Sequence, residues 1–333
     1  MNMQDIAPLG FGIPTYRRPE LLDRAIQSIV EQVRDTSTPI YISDNSCDET
    51  NKAVVGKWLR THANIIHQVN EVNVGIDRNV ERAIERCPAT YVHVIGDDDI
   101  IFPGFVTRVM QAIHGAPPHV ICSYLYLLND YRITTGIPII PTYGEKTSLR
   151  TFLPRHGWTL GFIGAHVFNR ALFSAGTASG YGSYFHHIIR LVGYLEPDEP
   201  VGFVAEALVG NRVDDESTPS WSADRLNVVF GLEKALVGAM AGRYKAEEVA
   251  RTVEATRKFL GYTQFFRLLY WAALAEKTGN GERYWQDLKG LIEPIRYRRL
   301  RSMPRFLDES LTSLIPHVRR LKRSIRRSGP RHP

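Results

Sequence analysis

Between Pro8 and Asp99 short apolar runs alternate with stretches of helical spacing, and this alternation limits the fold more than any other feature of the chain. Pro8-Leu9-Gly10-Phe11-Gly12-Ile13 is an apolar run stopped by Pro14. Helical spacing then takes over at Leu22, Ala25, Ile26, Ile29, Val30 and Val33, with Pro19 in the first turn, where its missing N–H costs nothing. Ile40 to Ser43 reads as a second strand and about Glu49 to Leu59 as a second helix. Asn64 to Val69 and Ile76 to Arg86 form a third pair, and Tyr91 to Ile95 a fourth strand. Such an order specifies an α/β fold in which a sheet is flanked by helices, and the loops after Ile13, Ser43, Val69 and Ile95 are expected to converge at the carboxyl ends of the strands.

After Pro103 the pattern loosens. A helix is expected near 104–113 and a strand near 120–127, followed by a Gly- and aromatic-rich stretch from Trp158 to Tyr194. From about Ala223 helices dominate, at 226–240, 246–277, 282–292 and 307–325. A boundary near Ser220 therefore separates residues 1–220, in two halves 1–105 and 106–220, from a helical C-terminal region 221–333. At 333 residues and 44% hydrophobic content the chain can fill one large α/β domain plus a smaller annex. No apolar stretch approaches the ~18–20 residues that span a bilayer, and Met1 to Asp5 lacks the opening of a signal peptide. Cys47, Cys87 and Cys122 read as reduced thiols, so the expected location is the cytoplasm.

Asp97-Asp98-Asp99 is costly to place at a strand end, because adjacent carboxylates repel unless a cation or proton compensates. Mg²⁺ or Mn²⁺ is the simplest compensation, binding one or two protein carboxylates together with substrate phosphates. A solvated acidic turn is the competing reading.

Gly12 to Pro19, Ser43 to Asp48, Asn73 to Asn79 and Gly96 to Pro103 stand in the order of the motifs of family 2 glycosyltransferases, and the chain resembles that family over roughly 8–215, most closely up to Phe105. The resemblance implies a GT-A fold, Rossmann-like with a mixed sheet, and a nucleotide diphosphate sugar as donor. It implies that Pro14, Thr15, Tyr16 and Arg17 line the nucleotide pocket, that Asp44 with Asn45 meets the nucleobase, and that Asn73, Gly75, Arg78 and Asn79 lie near the ribose and diphosphate. Metal binding falls on Asp98, helped by Asp97 or Asp99, since the family often carries an acidic residue where Gly96 stands. The segments Gly161 to His166 and Gly182 to His187 look like those of abequosyltransferase-type O-antigen enzymes.

Many relatives begin a later helix with an acidic pair that supplies the base for the acceptor hydroxyl. The corresponding stretch here is Gly182 to Ile189, which has no acidic pair. His186 or His187 is the candidate replacement, as imidazole is the commonest general base. Glu196, Asp198, Asp214 and Asp215 compete for the role, and a structural role competes for each histidine. Asn211 to Trp221 resembles the loop that closes over the donor diphosphate, with Arg212 and Trp221 as its candidate contacts, although an acidic surface loop reads the same way.

The net charge of +6 is concentrated in the C-terminal segment, where Arg296 to Arg331 are opposed by few acids. Leu307, Leu311, Leu314, Val318, Leu321 and Ile325 form an apolar stripe among those cations, interrupted by Pro316. A basic amphipathic surface suits anionic lipid on the inner face of the plasma membrane, and with it a glycan or polyprenyl-diphosphate-linked acceptor. Packing against the catalytic domain or a partner subunit, including a second copy in a homodimer, is the alternative. Nucleic acid is not expected as a partner, because the tail carries only Tyr297 and Phe306 for stacking. The resulting expectation is a metal-dependent, inverting glycosyltransferase. Its rivals are a non-catalytic scaffold on the same fold and a sugar-phosphate nucleotidyltransferase, whose Gly-rich N-terminal loop is missing here.

Overall fold

The computed structural model describes residues 6–33, 37–127, 146–176, 183–212 and 225–260, together with 282, 285, 286 and 289. Two compact units are distinguished, Met1–Thr256 and Arg257–Pro333. The boundary expected near Ser220 falls outside the described residues, as do the helices expected beyond residue 292 and the basic tail. The first unit continues past that position through α8 (Arg225–Met240) and into α9 (Ala246–Leu260).

The opening half alternates β1 (Ala7–Thr15), α1 (Pro19–Val30), β2 (Ile40–Asp44), α2 (Lys52–Leu59), β3 (Ile65–Val69), α3 (Ile76–Glu85) and β4 (Ala89–Val94). A short β5 (Ile100–Ile101), α4 (Phe105–Ile113) and β6 (His119–Leu127) follow. The second half adds β7 (Lys146–Ser148), α5 (Leu149–His156), β8 (His166–Asn169), α6 (Arg170–Ala175), α7 (His186–Tyr194) and β9 (Pro200–Arg212). Among the described residues these strands make one mixed sheet in the order β3-β2-β1-β4-β8-β6-β9-β5, with β7 paired to β9. β1 pairs in parallel with both β2 and β4, and β8 is antiparallel to β4 and β6.

Side-chain alternation along β1 explains how helices reach both faces. Leu9, Phe11 and Ile13 point into one core, shared with Leu22, Ile26 and Ile29 of α1 and with Phe105 and Val109 of α4. Burying each of those aliphatic side chains contributes roughly 1.5–3 kcal/mol. On the other face β1 presents Gly10 and Gly12, and α3 lies so close that a Cβ on Gly12 would stand 2.5 Å from the Ala83 carbonyl oxygen. Val80 and Ile84 of α3 join Val92 and Val94 of β4 in a second core, which α5, α7 and α8 complete through Phe152, Leu191 and Leu236. No helix among the described residues is long and apolar enough to cross a membrane.

Candidate functional site

The chain runs from β1 outward to β2 and β3, then returns to β4 on the opposite side of β1. The gap between the carboxyl ends of β1 and β4 is thus a topological switch point, where loops leave in opposite directions and open a crevice. Thr15 ends β1 and Asp97 follows β4, and they meet across this gap: Thr15 Oγ1 donates to Asp97 Oδ2 at 2.8 Å. The Tyr16 N–H reaches the same oxygen at 3.4 Å.

The expected set of Asp97, Asp98 and Asp99 does not converge on one point. Arg18 Nη1 donates to Asp97 Oδ1 at 3.0 Å and to Asp98 Oδ2 at 3.1 Å. Asp99 instead accepts the Arg212 N–H at 2.9 Å, which ties the acidic turn to the end of β9. Both acids lie against Gly96: a Cβ there would stand 2.7 Å from Asp99 Oδ2 and 3.0 Å from Asp98 Oδ1, so the carboxylates would have to shift. Burial raises the pKa of Asp97 against the lowering influence of Arg18. Burial, and then the Asp97 charge, push Asp98 up to about 6. Asp99 is raised well above the usual carboxylate range, again by burial first and then by Asp98. These shifts mean that one guanidinium undercompensates the cluster.

The donor set fits a divalent cation held by two carboxylates, Asp97 and Asp98, with phosphate or water oxygens filling its remaining positions. Among the described residues no three His, Cys, Asp or Glu side chains form a cluster able to hold a metal without such outside ligands. Arg212, expected on the loop that closes over the donor diphosphate, lies close enough to Asp98 to lower its pKa. Trp221 lies outside the described residues.

On the β2 side, most of the expected nucleotide contacts turn out to be occupied by the protein itself. Asp44 is fully buried; Oδ1 accepts from the Ser46 N–H at 2.9 Å and Asn51 Nδ2 at 3.1 Å, and Oδ2 lies 3.0 Å from His67 Nε2. Burial would raise its pKa, but the hydrogen bonds from His67, Ser46 and Asn51 hold it below the ordinary value. Asn45 Nδ2 donates to Asn73 Oδ1 at 2.6 Å, and its Oδ1 accepts from the Val74 N–H at 3.0 Å and from Asn70. Asn79 Nδ2 donates to the Ser43 carbonyl at 3.0 Å and its Oδ1 accepts from Ser43 Oγ at 2.8 Å. These amides fasten β2 to α3 and to the loop before it, so they build the pocket floor.

The surfaces left open are Tyr16, Arg17, Asn73 and Gly75, with Arg78 partly exposed and Pro14 buried behind them. Gly75 caps α3 at φ 77°, a conformation that favours glycine. Arg17 has φ 52°, fixed by its N–H to Ser46 Oγ at 2.8 Å, while its guanidinium pairs with Asp48 at 2.7 Å. Arg78 Nη1 binds Glu81 at 2.5 Å, and Arg82, one turn on, reaches Asn70.

His186 and His187, the candidate bases, begin α7, and both are buried. His186 Nδ1 stands 2.9 Å from Glu81 Oε1, and its N–H donates to Asp77 Oδ1 at 3.4 Å. His187 Nε2 lies 3.1 Å from the Leu160 carbonyl, and desolvation lowers its pKa to about 4. The reason for the burial is α3, whose polar side chains Asp77 and Glu81 face inward and seat the head of α7. Of the competing carboxylates, Asp198 is in an exposed pair with Arg150 and Glu196 in one with Arg243. Asp214 and Asp215 lie outside the described residues. Sequence reasoning passed over Arg18, Asp77, Glu81 and Arg190 as parts of this site. The inward acids at 77 and 81, four apart on an otherwise amphipathic helix, were the available signal.

Residues 11–131 match the sequence profile described as Glycosyl transferase family 2. Abequosyltransferase RfbV of Salmonella typhimurium is 33% identical over 96 residues, 28% of this chain and 28% of that protein. The GalNAc(5)-diNAcBac-PP-undecaprenol beta-1,3-glucosyltransferase of Campylobacter jejuni is 29% identical over 109 residues, 32% of this chain and 35% of its own length. The matched region thus spans about a third or less of these curated relatives. S. aureus TarS 1-349 in complex with UDP-GlcNAc has a similar fold, with a TM-score of 0.58 at 14% identity, covering 88% of this chain and 83% of that one. The mannosyltransferase PcManGT from Pyrobaculum calidifontis, in complex with GDP-Man and Mn2+, superposes with a TM-score of 0.54 at 13% identity over 90% and 81% of the two chains. The GT-A-like mixed sheet is shared with both. With its motifs set around the switch point of that sheet, the chain carries over residues 11–131 the sequence pattern of glycosyl transferase family 2.

Proposed function

We propose that this protein transfers a sugar from a nucleotide diphosphate donor to a hydroxyl of a glycan or polyprenyl-diphosphate-linked glycan, with inversion at the anomeric carbon. The observation that carries the reading is the Asp97–Asp98 pair suspended at the β1/β4 switch point by Thr15 and Arg18. Tyr16 and Arg17 offer an exposed face on one side of it, and Arg78 and Arg212 supply positive charge for a diphosphate. Mg²⁺ or Mn²⁺ held by Asp97 and Asp98 would offset the charge that develops on the leaving diphosphate. PcManGT, on a similar fold, is described with Mn2+ and GDP-Man, which supports the same ligand classes here.

For the acceptor proton, His186 is the stronger of the two histidine candidates. Glu81 Oε1 stands 2.9 Å from its Nδ1, near enough for a small turn of the ring to give the base–orienter pair that general bases use, whereas His187 is committed to Leu160 and holds a proton poorly. The lipid-linked acceptor is supported by the Campylobacter relative's name and by the Arg-rich sequence of the tail, which suits a place on the cytoplasmic face of the membrane. A second reading, a non-catalytic scaffold, draws on the burial of both histidines.

The test is thermal stabilisation by UDP-, GDP-, CDP- and dTDP-sugars with Mn²⁺, in wild type and Asp98→Asn, followed by detection of released nucleoside diphosphate. Stabilisation by one nucleotide class, lost in the variant, is expected. Turnover should vanish in His186→Ala while donor binding persists. Donor binding without any turnover in wild type, across a panel of lipid-linked acceptors, would favour the scaffold.

A further inference from the structure

Arg18 stands at the head of α1, where its carbonyl accepts the Leu22 N–H at 3.0 Å and Pro19 takes the first helical position. One nitrogen of its guanidinium touches both acids, 3.0 Å from Asp97 Oδ1 and 3.1 Å from Asp98 Oδ2. The Arg18 side chain is only 13% exposed there. The other oxygen of Asp97 already accepts from Thr15 and the Tyr16 N–H. Asp97 therefore has one oxygen to give a cation, and Arg18 holds it. Mg²⁺ requires its oxygens at about 2.0–2.1 Å, so an ion bridging these two carboxylates and the guanidinium nitrogen cannot share the gap.

We infer that Arg18 is the resident counter-cation of the Asp97–Asp98 pair, and that a divalent ion binds there only by displacing it. The inference rests on reading the pair as part of a donor-diphosphate site. An arginine does not vacate by losing its proton, so it leaves only by swinging away with its charge intact. A bare ion must therefore separate the ion pair that Arg18 makes with both acids. An ion arriving with a nucleoside diphosphate gives the freed guanidinium a pair of phosphate oxygens to donate to. The two ligands then strengthen one another's binding, and Arg18 sets the size of that mutual gain.

The test follows free Mn²⁺ by electron paramagnetic resonance while the full-length wild type, Arg18→Gln and Arg18→Lys are titrated. Each is measured alone and with UDP, GDP, CDP and dTDP in turn, and circular dichroism melts establish that the variants fold. Without nucleotide, Arg18→Gln should bind Mn²⁺ roughly tenfold more tightly than wild type, with Arg18→Lys between them. The further tightening on adding the diphosphate should shrink in Arg18→Gln. Mn²⁺ affinity equal to or below that of wild type in the folded variants overturns the inference, as does a lack of Mn²⁺ binding in all three proteins. Nucleoside diphosphate binding in EDTA keeps the two ideas apart. If a diphosphate binds there and Mn²⁺ never does, only the role of Arg18 falls; if neither binds, the donor-site reading falls with it.

Discussion

Arg190 of α7 and Glu81 of α3 meet at 2.7 Å, with side-chain exposures of 6% and 1%. The same arginine donates to the Gly176 carbonyl at 2.8 Å and to the carbonyl of Phe173, whose ring its guanidinium covers at 4.1 Å. Glu81 also faces His186 and Arg78, so one buried carboxylate joins the donor helix to the second half of the sheet. Removing Glu81 leaves Arg190 paired with Glu85 at 3.0 Å, so the cost should fall at the low end of the about 3–5 kcal/mol of a broken buried pair. Glu81→Ala is expected to lose that much in urea unfolding, and a loss under about 1 kcal/mol would show that the network relaxes around the gap.

Asp77 reaches across from α3 to accept the N–H groups of Tyr184 and His186 at the head of α7, at 3.3 and 3.4 Å. Tyr184 itself sits at φ 64°, an uncommon conformation for a residue with a side chain. As a cap supplied from another helix, Asp77 should be worth about 1 kcal/mol, by analogy with caps supplied locally. Asp77→Ala is expected to show that small loss of stability together with a much larger fall in kcat, because the segment carrying His186 loses its anchor. A fall in activity no greater than the stability loss explains would leave Asp77 with a purely structural role.

Gly12→Ala puts a methyl group where the Ala83 carbonyl stands, 2.5 Å from the new Cβ. Neither partner is a flexible side-chain end, so α3 must move off β1. The expected cost is about 1–3 kcal/mol. Nucleotide affinity should fall as well, since Gly75 and Arg78 travel with α3. Unchanged melting and unchanged binding would mean that the helix has slack the structure does not show.

Acid should weaken the fold through its interior histidines. Desolvation lowers His93 and His119 to about 3 and His187 to about 4, so the folded chain keeps them neutral. In the unfolded chain they protonate near ~6.5, so below that pH the unfolded state takes up protons that the folded state refuses. Their stabilising contribution is complete above ~6.5 and drains away as pH falls toward the folded values, by up to ~1.4 kcal/mol per pH unit for each histidine. Asp98, raised to about 6, acts in the opposite sense, so the measurement is a difference. His93 packs between Phe11 and Phe105, with ring centroids 5.8 and 4.5 Å away, which makes His93→Phe a suitable comparison. Wild type should lose stability relative to this variant on going from neutral pH to about pH 5. Parallel curves would count against a neutral, buried His93.

The first half of the fold was legible because each of its elements announces itself locally. The strand read at 40–43 is β2 at Ile40–Asp44, and the helix read at 76–86 is α3 at Ile76–Glu85. β9, from Pro200 to Arg212, went unread: its apolar residues suit helix or strand, and its partners β5, β6 and β7 are distant in the chain. α7 was likewise hidden, since its first residues carry no local cap and depend on Asp77. For the site, the motifs fall on loops that meet at the carboxyl ends of β1, β2 and β4, but they do not show the division of labour within those loops. A sequence shows that an asparagine is present at 45 or 79, not whether its amide is spent on a neighbouring strand. Nor does it show that the cation facing Asp97 is the chain's own Arg18.

The asparagine lattice beneath the pocket also bears on how donor preference would change over evolution or in the laboratory. Asn45, Asn70 and Asn79 answer to one another and to the backbone, so exchanging any of them loosens three loops at once before it alters what is recognised. Variation that retunes the choice of sugar or base without dismantling the cradle has to work through Tyr16 and Arg17, whose side chains reach solvent and take no part in it. A small combinatorial library at those positions would sample new donors on an unchanged foundation, whereas the lattice positions mutate chiefly toward loss.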